Sequence, residues 1–192
     1  MIAAAVPFSH ALWRRLGLGS FALFVAGAIA IDVATLHFHV PYINFLNFAF
    51  VWLAIHQLGY AWQSGHFSSP AKAAIWAIGG AIALTALIHY GPYPIAMIGV
   101  PGEPLSNSMP PTLALLALGI TQTGLALALE PLGRAMLSRL TAWTATVLVN
   151  GMIMTIYLWH LTAFVAVMVA AWLMGGIGLH VAPGSSAWWL AR

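Results

Sequence analysis

Long apolar runs of similar length alternate with short polar clusters along this chain. Five runs stand out, at 16–36, 44–62, 71–90, 111–129 and 146–174. Each is at or above the length that crosses the hydrocarbon of a bilayer, about 20 residues rising about 1.5 Å apiece in a helix. The pattern predicts an all-α, polytopic transmembrane helix bundle of about five membrane-spanning helices, forming a single transmembrane domain over 1–192. Between the runs lie turn residues: HFHVPYI before the second, QSGHFSSPAK before the third, and GGIGLHVAPGSS after the fifth. The longest connection, 91–110, holds five prolines and three glycines, which rules out a regular span there. A loop of that length in a compact protein is usually functional or partly inserted. Glu130-Pro131 is expected to end the fourth span, and Pro111 to open it. Residues 1–15 read as a short apolar run with Pro7 and His10, closing on Arg14-Arg15. The residues after the arginine pair, Leu16-Gly17-Leu18, do not suit a twin-arginine signal, and four further spans follow.

Composition agrees with the pattern. Of 192 residues, 62% are hydrophobic and 5% charged, more apolar surface than a water-soluble fold buries. With so few charges, the net charge of +3 marks orientation and does not indicate nucleic-acid binding. Five spans place Arg14, Arg15, Lys72, Arg134 and Arg139 on one side. The connections at 37–43, 91–110 and 175–187 contain no Lys or Arg. The positive-inside rule therefore predicts a cytoplasmic N-terminus, with His89, Glu103 and Asn107 on the outer side. The absence of cysteine excludes disulfides and thiol chemistry.

Candidate chemistry sits inside the runs. Trp52, His56 and Tyr60 follow at i, i+4 and i+8 and share one helix face, with Gln57 about 100° round from His56. Asn150, Met154, Tyr157 and His160 trace a similar stripe on the last run. A histidine within a span is a functional candidate because a polar group in hydrocarbon needs a partner or a water-filled cavity. The blander reading is a buried His–Gln pair that ties two helices together. Histidines 56 and 160 are expected to approach one another or a shared cavity. Small residues Gly79, Gly80 and Ala83 suit close helix contact in the third run, and Thr121, Gln122 and Thr123 interrupt the fourth. Asp32, near the far end of the first run, could serve as a site carboxylate but reads first as solvated or locally bonded. His37 and His39 lack a nearby third ligand, so no metal site is expected. No nucleophile elbow, phosphate-binding loop, dinucleotide fingerprint or zinc-protease motif is present. From residues alone, the types suit either a transferase that deprotonates a hydroxyl acceptor or a proton-coupled transporter. A non-catalytic membrane subunit is the third reading.

Three stretches carry a resemblance: NFLNFAFVWLAIHQLGYAW at 44–62, SNSMPPTLALLALG at 106–119, and GMIMTIYLWHLTA at 151–163. In this order they resemble the acyltransferase 3 family of bacterial membrane O-acyltransferases, with Tyr157, Leu158, Trp159 and His160 matching a late-span Tyr-Leu-Trp-His pattern. The resemblance implies a fold of about ten membrane spans of which this chain is the C-terminal half, and it implies transfer of an acyl group, often acetyl, from cytoplasmic acyl-CoA to a hydroxyl of a carbohydrate or lipid-linked acceptor outside the cell. No bound cofactor is implied; membrane lipids surround the protein, and nucleic acid plays no part. Trp188 and Trp189 read as an interfacial belt opening another span, so the chain is expected to stop short at its C-terminus. The family's signature basic residue eleven positions before a histidine is absent: Phe45 precedes His56 and Val149 precedes His160 at that spacing. The principal catalytic histidine is therefore expected upstream of this chain. Trp52, His56, Gln57, Tyr60, Asn107, Tyr157 and His160 are left as cavity-lining or substrate-contacting candidates.

Overall fold

A computed structural model describes residues 2–99, 105–176 and 181. Among them the fold is all-helical: α1 (Ile2–Leu16), α2 (Leu18–Leu36), a 3-10 turn (Ile43–Leu46), α3 (Asn47–Gln63), α4 (Pro70–Tyr90), α5 (Leu113–Leu137) and α6 (Leu140–Leu173). Four of these, α2, α4, α5 and α6, are long and apolar enough to cross a membrane. The chain thus has the helices of a multi-pass membrane protein. The expected Glu103 and the tryptophan belt at 188 and 189 lie outside the described residues.

Three expectations about the elements need correction. The run at 44–62 is not one α-helix. A 3-10 turn with Tyr42 in the left-handed region (φ 62°) precedes it, and α3 keeps 17 residues, at the short edge of spanning length. The fourth span does not stop at Glu130-Pro131, because α5 continues through Pro131 to Leu137. Proline there lacks an N–H, so the carbonyl one turn earlier gets no intrahelical partner from it. The last helix starts at Leu140, before the expected Thr146, and runs 34 residues.

The N-terminal run is a full helix. Ala5, Ser9, Leu12 and Trp13 recur at helical spacing, and Ser9 and Trp13 are buried. The chain turns from α1 to α2 at Gly17, whose φ of 54° and ψ of −131° suit only glycine. Ser20 secures this turn by donating its hydroxyl to the Gly17 carbonyl at 2.6 Å. Ser69 caps α4 by accepting from the Lys72 amide at 3.3 Å, with Pro70 in the first turn.

Residues 1–133 and 134–192 form two compact units. In the first, the apolar core joins Phe24 and Ala28 of α2, Val51, Leu53 and Ala54 of α3, and Leu116 of α5. Ala5 and Leu12 of α1 pack against it. Helices α4 and α5 meet through small residues. A Cβ added to Gly80 would lie 2.7 Å from Thr121 Oγ1, and one on Gly124 would lie 2.5 Å from the Ala77 amide nitrogen. Gly79, by contrast, has open space beside it. Thr121 does not break α5, because its hydroxyl returns to the Ala117 carbonyl at 2.8 Å. The second unit is dominated by α6, none of whose residues is buried.

Candidate functional site

The face of α3 that turns inward is set by Asn47, Val51, Ala54, Leu58 and Ala61, a run of alternating four- and three-residue steps. Gln57 lies on this inner face and is fully buried. His56 and Tyr60 lie at its margin, half-buried, and Trp52 is 38% exposed beyond them. Gln57 and His56 therefore do different work, although they are neighbours in sequence.

Gln57 is held from both ends. Its Nε2 donates to Ser9 Oγ at 3.0 Å and towards the Ser9 carbonyl at 3.4 Å, and its Oε1 lies 2.9 Å from Ser20 Oγ, whose one proton it shares with the Gly17 carbonyl. Ser9 Oγ also meets His56 Nδ1 at 3.2 Å. One connected set of side chains thus joins α1, α2 and α3, with every polar atom of Gln57 occupied, as burial of an amide requires. The Tyr60 ring stands edge-on to His56 with centroids 4.9 Å apart, and His10 and Trp13 of α1 approach the same ring at 5.4 and 6.1 Å. The Trp13 indole N–H donates to Ser64 Oγ at 3.2 Å, fixing α1 to the end of α3. Tyr60 Oη is buried and has no hydrogen-bond partner among the described residues. Beside this set lies a groove of about 590 Å³ lined by Ile55, His56, Gly59, Tyr60, Trp62 and Gln63. Of the sequence candidates, the groove takes His56 and Tyr60; Gln57 lies behind them and Trp52 lies outside. Ser9, His10, Trp13 and Ser20, which complete the arrangement, were not candidates. The helical spacing of Ala5, Ser9 and Leu12 was the available signal.

A second polar centre lies at the other ends of these helices. Asp32 is 4% exposed and neither solvated nor locally bonded, contrary to expectation. Its Oδ1 accepts from Asn47 Nδ2 at 2.7 Å. Its Oδ2 accepts from the Tyr93 hydroxyl at 2.7 Å and from the Leu113 backbone N–H at 2.9 Å. The carboxylate thus caps the first turn of α5 from another helix, where a negative charge meets the positive end of the helix dipole. Burial first, then the hydrogen bond to Asp32 and its charge, push the Tyr93 phenol above its ordinary value of 10.0. Asn107 is part of this structure. It is fully buried, donates to the carbonyls of Pro94 and Ala96 at 2.7 and 3.0 Å, and accepts from Thr112 Oγ1 at 2.9 Å. All its bonds tie the 91–112 connection to itself, so it organises the loop and holds it at the start of α5. A cavity of about 110 Å³ lies alongside, bordered by Asp32, Thr35, Asn44, Ser106 and Thr112.

In the second unit, Tyr157 and His160 stand with ring centroids 5.0 Å apart, and both are exposed. His160 Nδ1 is paired with the Tyr157 carbonyl one turn back. His56 belongs to the first unit and His160 to the second. Among the described residues, no three His, Asp or Glu side chains gather as a metal site. Comparison with known proteins adds no relative: no family model, no curated protein and no solved structure matches the chain.

Proposed function

We propose that this chain is part of an integral membrane O-acyltransferase, transferring an acyl group, most simply acetyl, from acyl-CoA to a hydroxyl of an extracytoplasmic carbohydrate. The observation that carries the reading is the His56 imidazole at the wall of a groove of about 590 Å³, held at Nδ1 by a buried serine. Acyl transfer to a hydroxyl needs a base for the acceptor's proton and donors for the negative charge that develops on the acyl oxygen. The likeness of 44–62, 106–119 and 151–163 to membrane O-acyltransferases supplies the reaction class. The basic-to-histidine spacing of that family's signature is absent from this sequence, so the proton-abstracting base is assigned outside these residues. His56 and Tyr60 then line the donor's path, and His160 with Tyr157 supports transfer by positioning.

Orientation follows from charge. On the positive-inside rule, the arginines at the α1–α2 turn and Lys72 at the start of α4 support a reading in which the groove end of α3 faces the cytoplasm of a bacterial plasma membrane. Acyl-CoA would meet that end, and the Asp32–Asn107 centre would face outwards. The test compares envelope carbohydrates by mass spectrometry in cells with the gene intact and disrupted. The proposal expects an acyl increment that is alkali-labile and lost with the gene. Unchanged glycans, together with an altered proton or solute flux across the membrane, would favour a transporter instead.

A further inference from the structure

We infer that the strap at 91–98 lies in the headgroup layer of the membrane, anchored by Ile95 and Ile98, so that its partner is the lipid surface and not water or another protein. The strap belongs to one end of the first unit. The last turns of α2 and α4 meet the first turns of α3 and α5 there, because Asp32 bonds to Asn47, Tyr93 and the Leu113 amide. Arg14, Arg15 and Lys72 lie at the opposite ends of these helices. Between Ala73 and Leu129 the sequence holds one charged residue, Glu103.

The strap is held by its backbone and shows its side chains. Tyr93 turns inward and is buried, with its hydroxyl on Asp32 Oδ2 at 2.7 Å. Asn107 Nδ2 donates to the carbonyls of Pro94 and Ala96 at 2.7 and 3.0 Å, the two that flank Ile95. Between these holds Ile95 faces outward, 77% exposed, and Ile98 beyond them is 73% exposed. Phe38 and Tyr42 of the α2–α3 connection, Tyr90 at the end of α4 and Met109 before α5 are exposed at the same end. Hydrogen bonds thus fix a set of large apolar side chains in the open, which water disfavours. Helices α2, α4 and α5 are long and apolar enough to cross a membrane. An apolar or tyrosine side chain close to the end of such a helix sits at the boundary of headgroups and acyl chains, where it is favoured. Irregular backbone is not accommodated among acyl chains, where its unpaired amides and carbonyls find no partner, so the strap stays at that boundary. Residues 33–46 and 90–98 contain no Lys, Arg, Asp or Glu to set the register of a protein partner, and a lipid boundary needs none.

Spin labels on single cysteines test this placement, since the chain has no native cysteine. The full chain is inserted in vesicles of phosphatidylethanolamine and phosphatidylglycerol. Collisions of each label with oxygen, which concentrates in lipid, are compared with collisions with a water-soluble nickel chelate. Ile82→Cys, at an exposed position in the middle of α4, gives the acyl-chain reference, and Ser68→Cys, in the α3–α4 turn, gives the water reference. Labels at Ile95→Cys and Ile98→Cys should read between the two, with nickel collisions several-fold below those at Ser68→Cys and oxygen collisions above them. Nickel collisions equal to those at Ser68→Cys would place the strap in water and overturn the inference. Protection from both reagents would also overturn it, because a second copy or another part of the fold would then cover the patch. The two strap positions are read separately, so loss of one variant leaves the other decisive. Neither reading depends on the reaction proposed above.

Discussion

At the residue scale, the two polar centres differ in how completely they are satisfied. Asp32 accepts three bonds from groups far away in sequence, so its removal orphans an amide, a phenol and a helix N-terminal N–H together. Asp32→Ala should therefore destabilise the protein by about 2–4 kcal/mol, read as a fall in thermal stability in detergent. Tyr60 is the opposite case, since its hydroxyl is buried without a partner among the described residues. Tyr60→Phe should leave stability unchanged or raise it by about 1 kcal/mol, and a clear loss would mean that Oη has a partner in the membrane. Tyr93 allows a pH prediction. Its phenol is raised in the folded protein, so the folded state keeps its proton where an unfolded tyrosine, at 10.0, would lose it. Stability from this group is complete below that value and declines as pH rises above it. Absorbance titration should show one phenolate fewer appearing near pH 10 in the wild type than the tyrosine count allows, and Tyr93→Phe should remove no signal in that range. Sequence alone singled out His56 and Gln57 because a polar pair inside an apolar run is unusual. It did not separate their roles, because one step of about 100° around a helix divides the buried face from the groove. The buried bonding of Asp32 was not legible because its partners lie on elements remote in sequence, and no local pattern announces a bond of that kind.

At the scale of elements, the positions of the apolar runs were legible because a bilayer demands length above all. Their ends were less so. The helix through Pro131 persists beyond the residue that normally breaks one, and α1 was hidden because it is short, contains Pro7 and carries exposed apolar side chains as well as buried ones. The small-residue contact between α4 and α5 was half visible. Gly79 and Gly80 look alike in sequence, yet only Gly80 faces α5. Gly124→Ala should force the two backbones apart and cost about 1–3 kcal/mol, because the added carbon meets backbone atoms of α4. Gly79→Ala should cost nothing and gain up to about 1 kcal/mol of helix propensity. Equal effects of the two changes on unfolding in detergent would contradict the α4–α5 packing described here.

For the whole molecule, the prediction is a topology as well as a reaction. The chain has no native cysteine, so single cysteines report cleanly. Ser106→Cys should react with an impermeant thiol reagent in intact cells, while Ser68→Cys and Ser138→Cys should react only after lysis. The reverse pattern would invert the protein and place the His56 groove on the wrong side for acyl-CoA. The central claim is that this groove serves acyl transfer, and its most direct measurement uses membranes from cells carrying the intact gene, supplied with acetyl-CoA labelled in the acetyl group. The account predicts a labelled, alkali-labile ester on carbohydrate, retained in appreciable part by His56→Gln, which keeps an N–H donor, and largely lost in His56→Leu. No labelled ester above membranes lacking the gene, or full activity in both variants, would contradict it.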